Sequence, residues 1–189
     1  VDNHTDALIG LGRLAREAGF ADGPEEALWV VTRALPSFFL ERNDGAQPPT
    51  ACTAFILTPD RRFHLIAAPV NFASEQHHEK VALELGHPGH VAATRQPLLL
   101  ANTGHHTSFV KILQTFRAGS AMFAPLMWGE AYLGCMICAS AAQNTFRERD
   151  LLVHQACASL AAALWVAKGG PAWLASLDLA ALPERTAPS

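Results

Sequence analysis

An α+β sandwich is the fold class this sequence predicts. Two pairs of apolar, β-rich runs turn back on themselves, and amphipathic helical spacing recurs at the start, middle and end of the chain. Hairpins at both ends of a sheet, with helices gathered around them, define that class. A chain of 189 residues, half hydrophobic and 16% charged, suits one domain with extra helices and a sizeable core.

The elements follow in order. Residues 5–18 place Leu8, Leu11, Leu14 and Ala15 at helical spacing, with Gly19 as a stop. Asp22-Gly23-Pro24 opens a second helix with Pro24 at its first position and Ala27, Leu28, Val31 and Leu35 on its apolar face. Residues 41–49 read as a polar loop. Ala51–Thr58 and Arg62–Val70 form a hairpin across Pro59-Asp60. Strict alternation there would put His64, Ile66 and Ala68 on one face and Phe63, Leu65 and Ala67 on the other. Ser74 is expected to cap a helix running to about Leu85, with Glu75 in its first turn. Gly86-His87-Pro88-Gly89 breaks the chain before a short helix to about Arg95 and a strand at Pro97–Ala101. Residues 102–117 read as a loop with a helical turn or two. Ser120–Trp128 and Ala131–Ser140 form a second hairpin across Gly129-Glu130. A long helix runs from Phe146 to Ala167 and is stopped by Gly169-Gly170-Pro171. Residues 173–182 suggest one more short helix, and the tail PERTAPS is expected to be loose. This divides the chain into an N-terminal helix (1–19), a main domain (20–168) and a C-terminal extension (169–189).

Composition narrows the function. A net charge of −3 and the absence of any Lys/Arg cluster give no general attraction to nucleic acid. The run 156–167, without charge or strong breaker, is short of the roughly 20 residues a membrane span needs. Four cysteines in apolar settings do not make a disulfide scaffold, so a reducing cytoplasm is the expected location. Nine histidines make the net charge sensitive to mild acid.

Four stretches together resemble the GAF family of ligand-binding and signalling domains: CTAFILTPDRRFHLIAA (52–68), GHPGHVAATRQPLLLANT (86–103), AGSAMFAPLMWGEAYLGCMICAS (118–140) and FRERDLLVHQACASLAAAL (146–164). The resemblance implies an antiparallel sheet of five to six strands. Terminal helices would lie on one face and a ligand-covering cap, made by residues 71–117, on the other. It also implies a small-molecule ligand between sheet and cap, and a homodimer through the terminal helices. Stand-alone relatives that sense nitrate for two-component systems are the precedent for a small anionic ligand, and signalling is expected to pass to a partner or to an output domain elsewhere.

Each chemistry of that family needs particular residues. A methionine-sulfoxide reductase of this type uses cysteines in the cap; here residues 71–117 contain none, and His90 stands where one is expected. Cys135 and Cys138 are three apart in a strand and so point to opposite faces. The chain is therefore expected not to be an enzyme. Covalent pigment binding lacks its cysteine for the same reason. The cyclic-nucleotide signature is broken, with Thr145 and Leu151 replacing the expected lysine and acid beside Asn144, Phe146 and Asp150. The pairs His87/His90, His77/His78 and His105/His106 could hold a metal or haem. Adjacent histidines normally diverge, however, so neither metal nor cofactor is expected.

The remaining reading is noncatalytic sensing. With Pro88 at the first helical position, the amides of Gly89 and His90 would lack intrahelical partners and attract a small anion, nitrate-like or a carboxylate. His87, His64 and His105 would add donors, over an apolar floor of Phe55, Ile66, Met122 and Trp128. The competing readings are a purely structural turn and a protein-interaction module without a regulatory ligand.

Overall fold

Both hairpins form where the sequence places them. β1 (Thr50–Leu57) turns into β2 (Phe63–Val70). After the short strands β3 (Lys80–Ala82) and β4 (Leu98–Leu100), β5 (Ser120–Trp128) turns into β6 (Ala131–Ser140). Gly129, with φ +56°, supplies the left-handed corner of the second turn. In the first, the Asp60 carboxylate accepts from the Thr58 hydroxyl at 2.6 Å and from the Arg62 amide at 3.1 Å. The computed structural model describes residues 3–40, 47–106 and 110–185, so most of the expected 41–49 loop lies outside the described residues.

The hairpins join through antiparallel pairing of β1 with β6, and, with a last strand β7 at Glu184–Arg185, the strand order among the described residues is β4-β5-β6-β1-β2-β3-β7. Seven strands replace the five or six expected. The two additions are β3 and β7 (Glu184–Arg185), which pairs parallel to β3 and makes the sheet mixed. The tail is thus tied down as far as Arg185: Lys80 donates its amide to the Pro183 carbonyl at 2.8 Å, and the Arg185 guanidinium meets Glu79 at 2.9 Å.

The helix expected over 74–85 is not formed. Ser74–Gln76 make one 3-10 turn, and the next residues extend to pair β3 with the open edge of β2. Edge pairing satisfies the β2 backbone, which an isolated helix there would leave without partners. Asn71 and His78, at φ +57° and +62°, supply the corners.

One face of the sheet carries the helix layer: α1 (Asn3–Gly19), α2 (Pro24–Leu40), α4 (Glu148–Ala167) and α5 (Gly170–Ser176). Ala27, Leu28, Val31 and Leu35 of α2 are all fully buried, the last three in one core with Ile56, Leu65, Met136 and Cys138. In α4, Phe146 plugs the core before the helix begins, while the Asp150 carboxylate accepts the Arg147 amide at 2.9 Å and caps the start. The F-x-x-x-D pattern is therefore a helix-start device here. α4 alone among the described helices is long and apolar enough to cross a bilayer, but its Ala158, Ala161 and Ala162 are buried in the core.

Alternation along β2 fails at one point. Ala68, at φ +47°, bulges toward the helices and joins Leu65 and Ala67 rather than Ile66. Two α2 side chains satisfy its backbone: the Thr32 hydroxyl donates to its carbonyl at 3.0 Å, and its amide donates to Glu25 at 3.3 Å. The opposite sheet face is covered by α3 (Gly86–Thr94) and by residues 71–79, 83–85 and 110–118, the cap.

Candidate functional site

Beneath the cap, the sheet offers Phe55 of β1, Ala121 and Phe123 of β5, and Ile137 of β6, all facing away from the helices. Phe72 and Val110–Leu113 close over them, with Pro88 and His87 at the start of α3. A cavity of about 50 Å³ remains between these groups. That is several times the space one water needs, so the cavity can take a guest of only a few heavy atoms. Among the described residues its walls are apolar apart from the imidazole of His87, which stacks on Phe123 with ring centroids 5.9 Å apart and meets His106 edge-on at 5.7 Å. Burial, and then the neighbouring His106 and His90, hold the His87 pKa below the ordinary histidine value. The ring is accordingly neutral near pH 7 and presents one donor and one acceptor.

The lid is held by hydrogen bonds rather than by packing alone. Gln76, fully buried, donates from Nε2 to the Ile112 carbonyl at 2.9 Å and accepts the Gln114 amide on Oε1 at 3.1 Å. The Thr115 hydroxyl donates to the Asn71 carbonyl, also across the lid. One side-chain amide thus stitches residues 112–114 to the segment that carries Phe72.

Of the residues singled out in the sequence, Phe55 and His87 line this cavity. Ile66 is buried on the same face, paired across the strands with Phe55, but does not reach the opening. His64 is fully buried beside Phe55, its Nε2 2.9 Å from the Tyr132 hydroxyl and its Nδ1 without a hydrogen-bond partner among the described residues. Burial, helped by the charge of Arg95, pushes its pKa down to about 3.

The others lie elsewhere. Met122 points into the helix-side core, since its neighbour Phe123 takes the cap face. Trp128 is 52% exposed at the tip of the second hairpin. His105 is exposed and bonded to Asn102. His90 is exposed on the outer side of α3. The helix also begins two residues earlier than expected, with Leu85 as its cap. The amides of Gly89 and His90 therefore fall inside the helical ladder and are not offered to an anion. Gly89 instead lets α3 approach the chain: a Cβ there would sit 2.6 Å from the Glu84 carbonyl oxygen. Phe72, Ala121, Phe123 and Ile137 were missed, although the strand alternation that separates Cys135 from Cys138 also fixes Ile137 and Phe123 relative to them.

His77 and His78 correct a further expectation. They do not diverge: their Nε2 atoms lie 2.8 and 2.9 Å from the same Glu25 oxygen.

The GAF domain family model matches residues 36–164, and the chain belongs to that family. Its fold is that of the GAF domain from a phosphoenolpyruvate-protein phosphotransferase of Coxiella burnetii (TM-score 0.76, 18% identity, 91% of this chain and 99% of that one). It is likewise similar to the corresponding GAF domain from Acinetobacter (TM-score 0.73, 14% identity, 88% and 95%). A third similar structure is the free methionine-R-sulfoxide reductase of Neisseria meningitidis in complex with its substrate (TM-score 0.73, 12% identity, 90% and 95%). Comparison with curated proteins gives no match.

That third structure corrects the expectation that the chain is not an enzyme. Reductases from Neisseria, Staphylococcus aureus and Thermoplasma acidophilum share this fold, so the fold does not exclude catalysis. The four cysteines here are all buried as free thiols; burial pushes the Cys135 and Cys157 thiols up, and the bond with Cys52 together with burial does so for Cys138.

Proposed function

We propose that this GAF domain is a cytoplasmic sensor that holds a small organic molecule in the cavity between sheet and cap. The observation that carries the reading is an apolar cavity with one polar side chain among the described residues, His87, on its wall. The sequence alone suggested a polar or anionic ligand such as nitrate. Apolar walls, a neutral imidazole and helix amides already in use favour instead a guest that is mostly apolar with one hydrogen-bonding group. A short-chain carboxylate is the anionic member of that class. Four free cysteines suit a reducing compartment.

Signalling would pass to the helix layer, and from there to a second copy or a partner protein, because α1 and α4 expose Leu8, Ile9 and Leu152. A guest moves that equilibrium only by binding two arrangements of cap and helices unequally.

Thermal-shift screening against short organic acids, their amides and alcohols, and inorganic anions tests this reading. The best stabiliser is expected to be an organic compound. Its effect should vanish in Ala121→Phe, which fills the cavity, and weaken at least about tenfold in His87→Ala, the loss of a buried hydrogen bond. Ala139→Leu gives a second filled cavity should the first variant melt too low. A carboxylate guest should bind more tightly as pH falls and His87 takes up a proton, whereas a neutral guest should not. Stabilisation by inorganic anions alone, or shifts indifferent to cavity filling, would refute the proposal.

A further inference from the structure

A second group of side chains sits on the other side of the 71–79 segment, away from the cavity. Glu25 rises from the first turn of α2, and His77 and His78 follow the 3-10 turn. One ligand-type atom from each residue lies within 4.8 Å of the other two. His77 Nε2 is 2.8 Å from Glu25 Oε1, and His78 Nε2 is 2.9 Å from Oε1 and 3.1 Å from Oε2. The two imidazoles lie against one another, centroids 4.0 Å apart, with Trp29 and Trp173 edging the outer faces.

Neighbouring histidines on an ordinary backbone point apart. These converge because His78 adopts φ +62°, a left-handed conformation held by its amide bonding Ile66 and by the Ile66 amide bonding Glu79. Backbone strain of this kind persists only where surrounding bonds enforce it, and it gathers at sites that bind. The carboxylate is oriented too: Oε1 accepts the amide of Ala68, the bulged residue, which leaves Oε2 turned toward His78. An ordered outer bond of this sort is what positions a metal-ligating carboxylate. The Glu25 side chain is 17% exposed and that of His77 40%, so the cluster is preorganised yet open to solvent.

We propose that Glu25, His77 and His78 form a binding site for a divalent ion of the zinc class, with water completing the coordination. A tetrahedral ion with bonds of about 2.0–2.1 Å needs its ligand atoms roughly 3.3 Å apart, only a few tenths of an ångström beyond the present hydrogen-bond spacing. Binding replaces the N–H···O bonds: each ring coordinates through Nε2 as the neutral tautomer with its hydrogen on Nδ1, the Nε2 hydrogen passing to water as Nδ1 takes one up. The ion then ties α2 of the helix layer to the segment that also carries Phe72 and Gln76 over the cavity.

The test is a Co²⁺ titration of the chelator-stripped full chain, followed by visible absorption, with Zn²⁺ as competitor. One Co²⁺ per chain should bind with the d–d bands of a low-coordinate site, and Zn²⁺ should bleach them and raise the melting temperature. His77→Ala and His78→Ala should each weaken binding at least about tenfold. Glu25→Gln should do the same while keeping an acceptor for the Ala68 amide. His105→Ala/His106→Ala should bind as wild type does. Metal-free melting curves separate lost binding from lost folding. Absence of saturable bands, bands that survive His77→Ala and His78→Ala, or bands that disappear with His105 and His106 would overturn the site.

Discussion

Gly134→Ala should cost about 3–5 kcal/mol of stability, enough to unfold much of a marginally stable domain. Gly134 sits in the middle of β6 at φ +152°, a conformation L-residues rarely adopt. The register shows why: Leu126 faces Gly134 and Met127 faces Tyr132, so Leu133 is an extra residue and the strand bulges there. The bulge brings β1 so close that a Cβ on Gly134 would lie 1.9 Å from the Phe55 carbonyl oxygen. Relief requires β1 to separate from β6 at Phe55, the residue that floors the cavity. Chemical denaturation of Gly134→Ala beside Gly12→Ala checks this, since a Cβ on Gly12 meets nothing within 4 Å. The control should match wild type to within about 1 kcal/mol or exceed it, as alanine does for glycine in a helix.

Mild acid is expected to destabilise the domain nearly as much. His64 and His154 are both fully buried, and burial pushes their pKa values from the ordinary 6.5 down to about 3 and about 4. In the unfolded chain both rings take up protons near pH 6.5; in the folded protein neither does until much lower pH. Stability is therefore full above pH 6.5 and falls as pH drops, until each folded value is reached. The loss is about 1.4 kcal/mol per pH unit for each ring. Between pH 6.5 and 5 the two together remove roughly 3 kcal/mol, the slope being only half developed at the upper end. Denaturant melts at half-unit pH steps measure the slope. His154→Gln, which can still donate to the Met136 carbonyl now 3.1 Å from the ring, should about halve it. A slope unchanged by that substitution, or a flat profile from pH 7 to 5, would contradict the burial argument.

The fold was legible where local chemistry and tertiary packing agree. Pro24 and the Ala27-Leu28-Val31-Leu35 stripe announce α2, and Gly129-Glu130 between apolar runs announces the second hairpin, because turn chemistry and periodicity are properties of neighbours in sequence. The failures have a common cause. Ser74-Glu75 looks like a helix start, but the open edge of β2 draws residues 80–82 into the sheet, and β7 joins from more than a hundred residues away. Ala68 changes faces through a bulge that α2 stabilises, which alternation cannot foresee.

At the candidate site, alternation separates Met122 from Phe123 but is silent on which one meets the cap. That choice depends on where the helices pack. The start of α3 was displaced by two residues, which moved Gly89 and His90 from free amides into the ladder. The convergence of His77 and His78 depends on one backbone angle, and nothing in the residue types encodes it.

The most direct test of the central claim is a two-dimensional amide NMR titration of the isotope-labelled chain with the best stabiliser found by screening. Perturbations should concentrate at Phe55, Phe72, His87, Val110–Leu113 and Phe123, with smaller shifts spreading into α2 through Ala68. Perturbations confined to the outer helix faces or to the Trp128 hairpin tip, leaving the residues around His87 unmoved, would contradict a guest between sheet and cap.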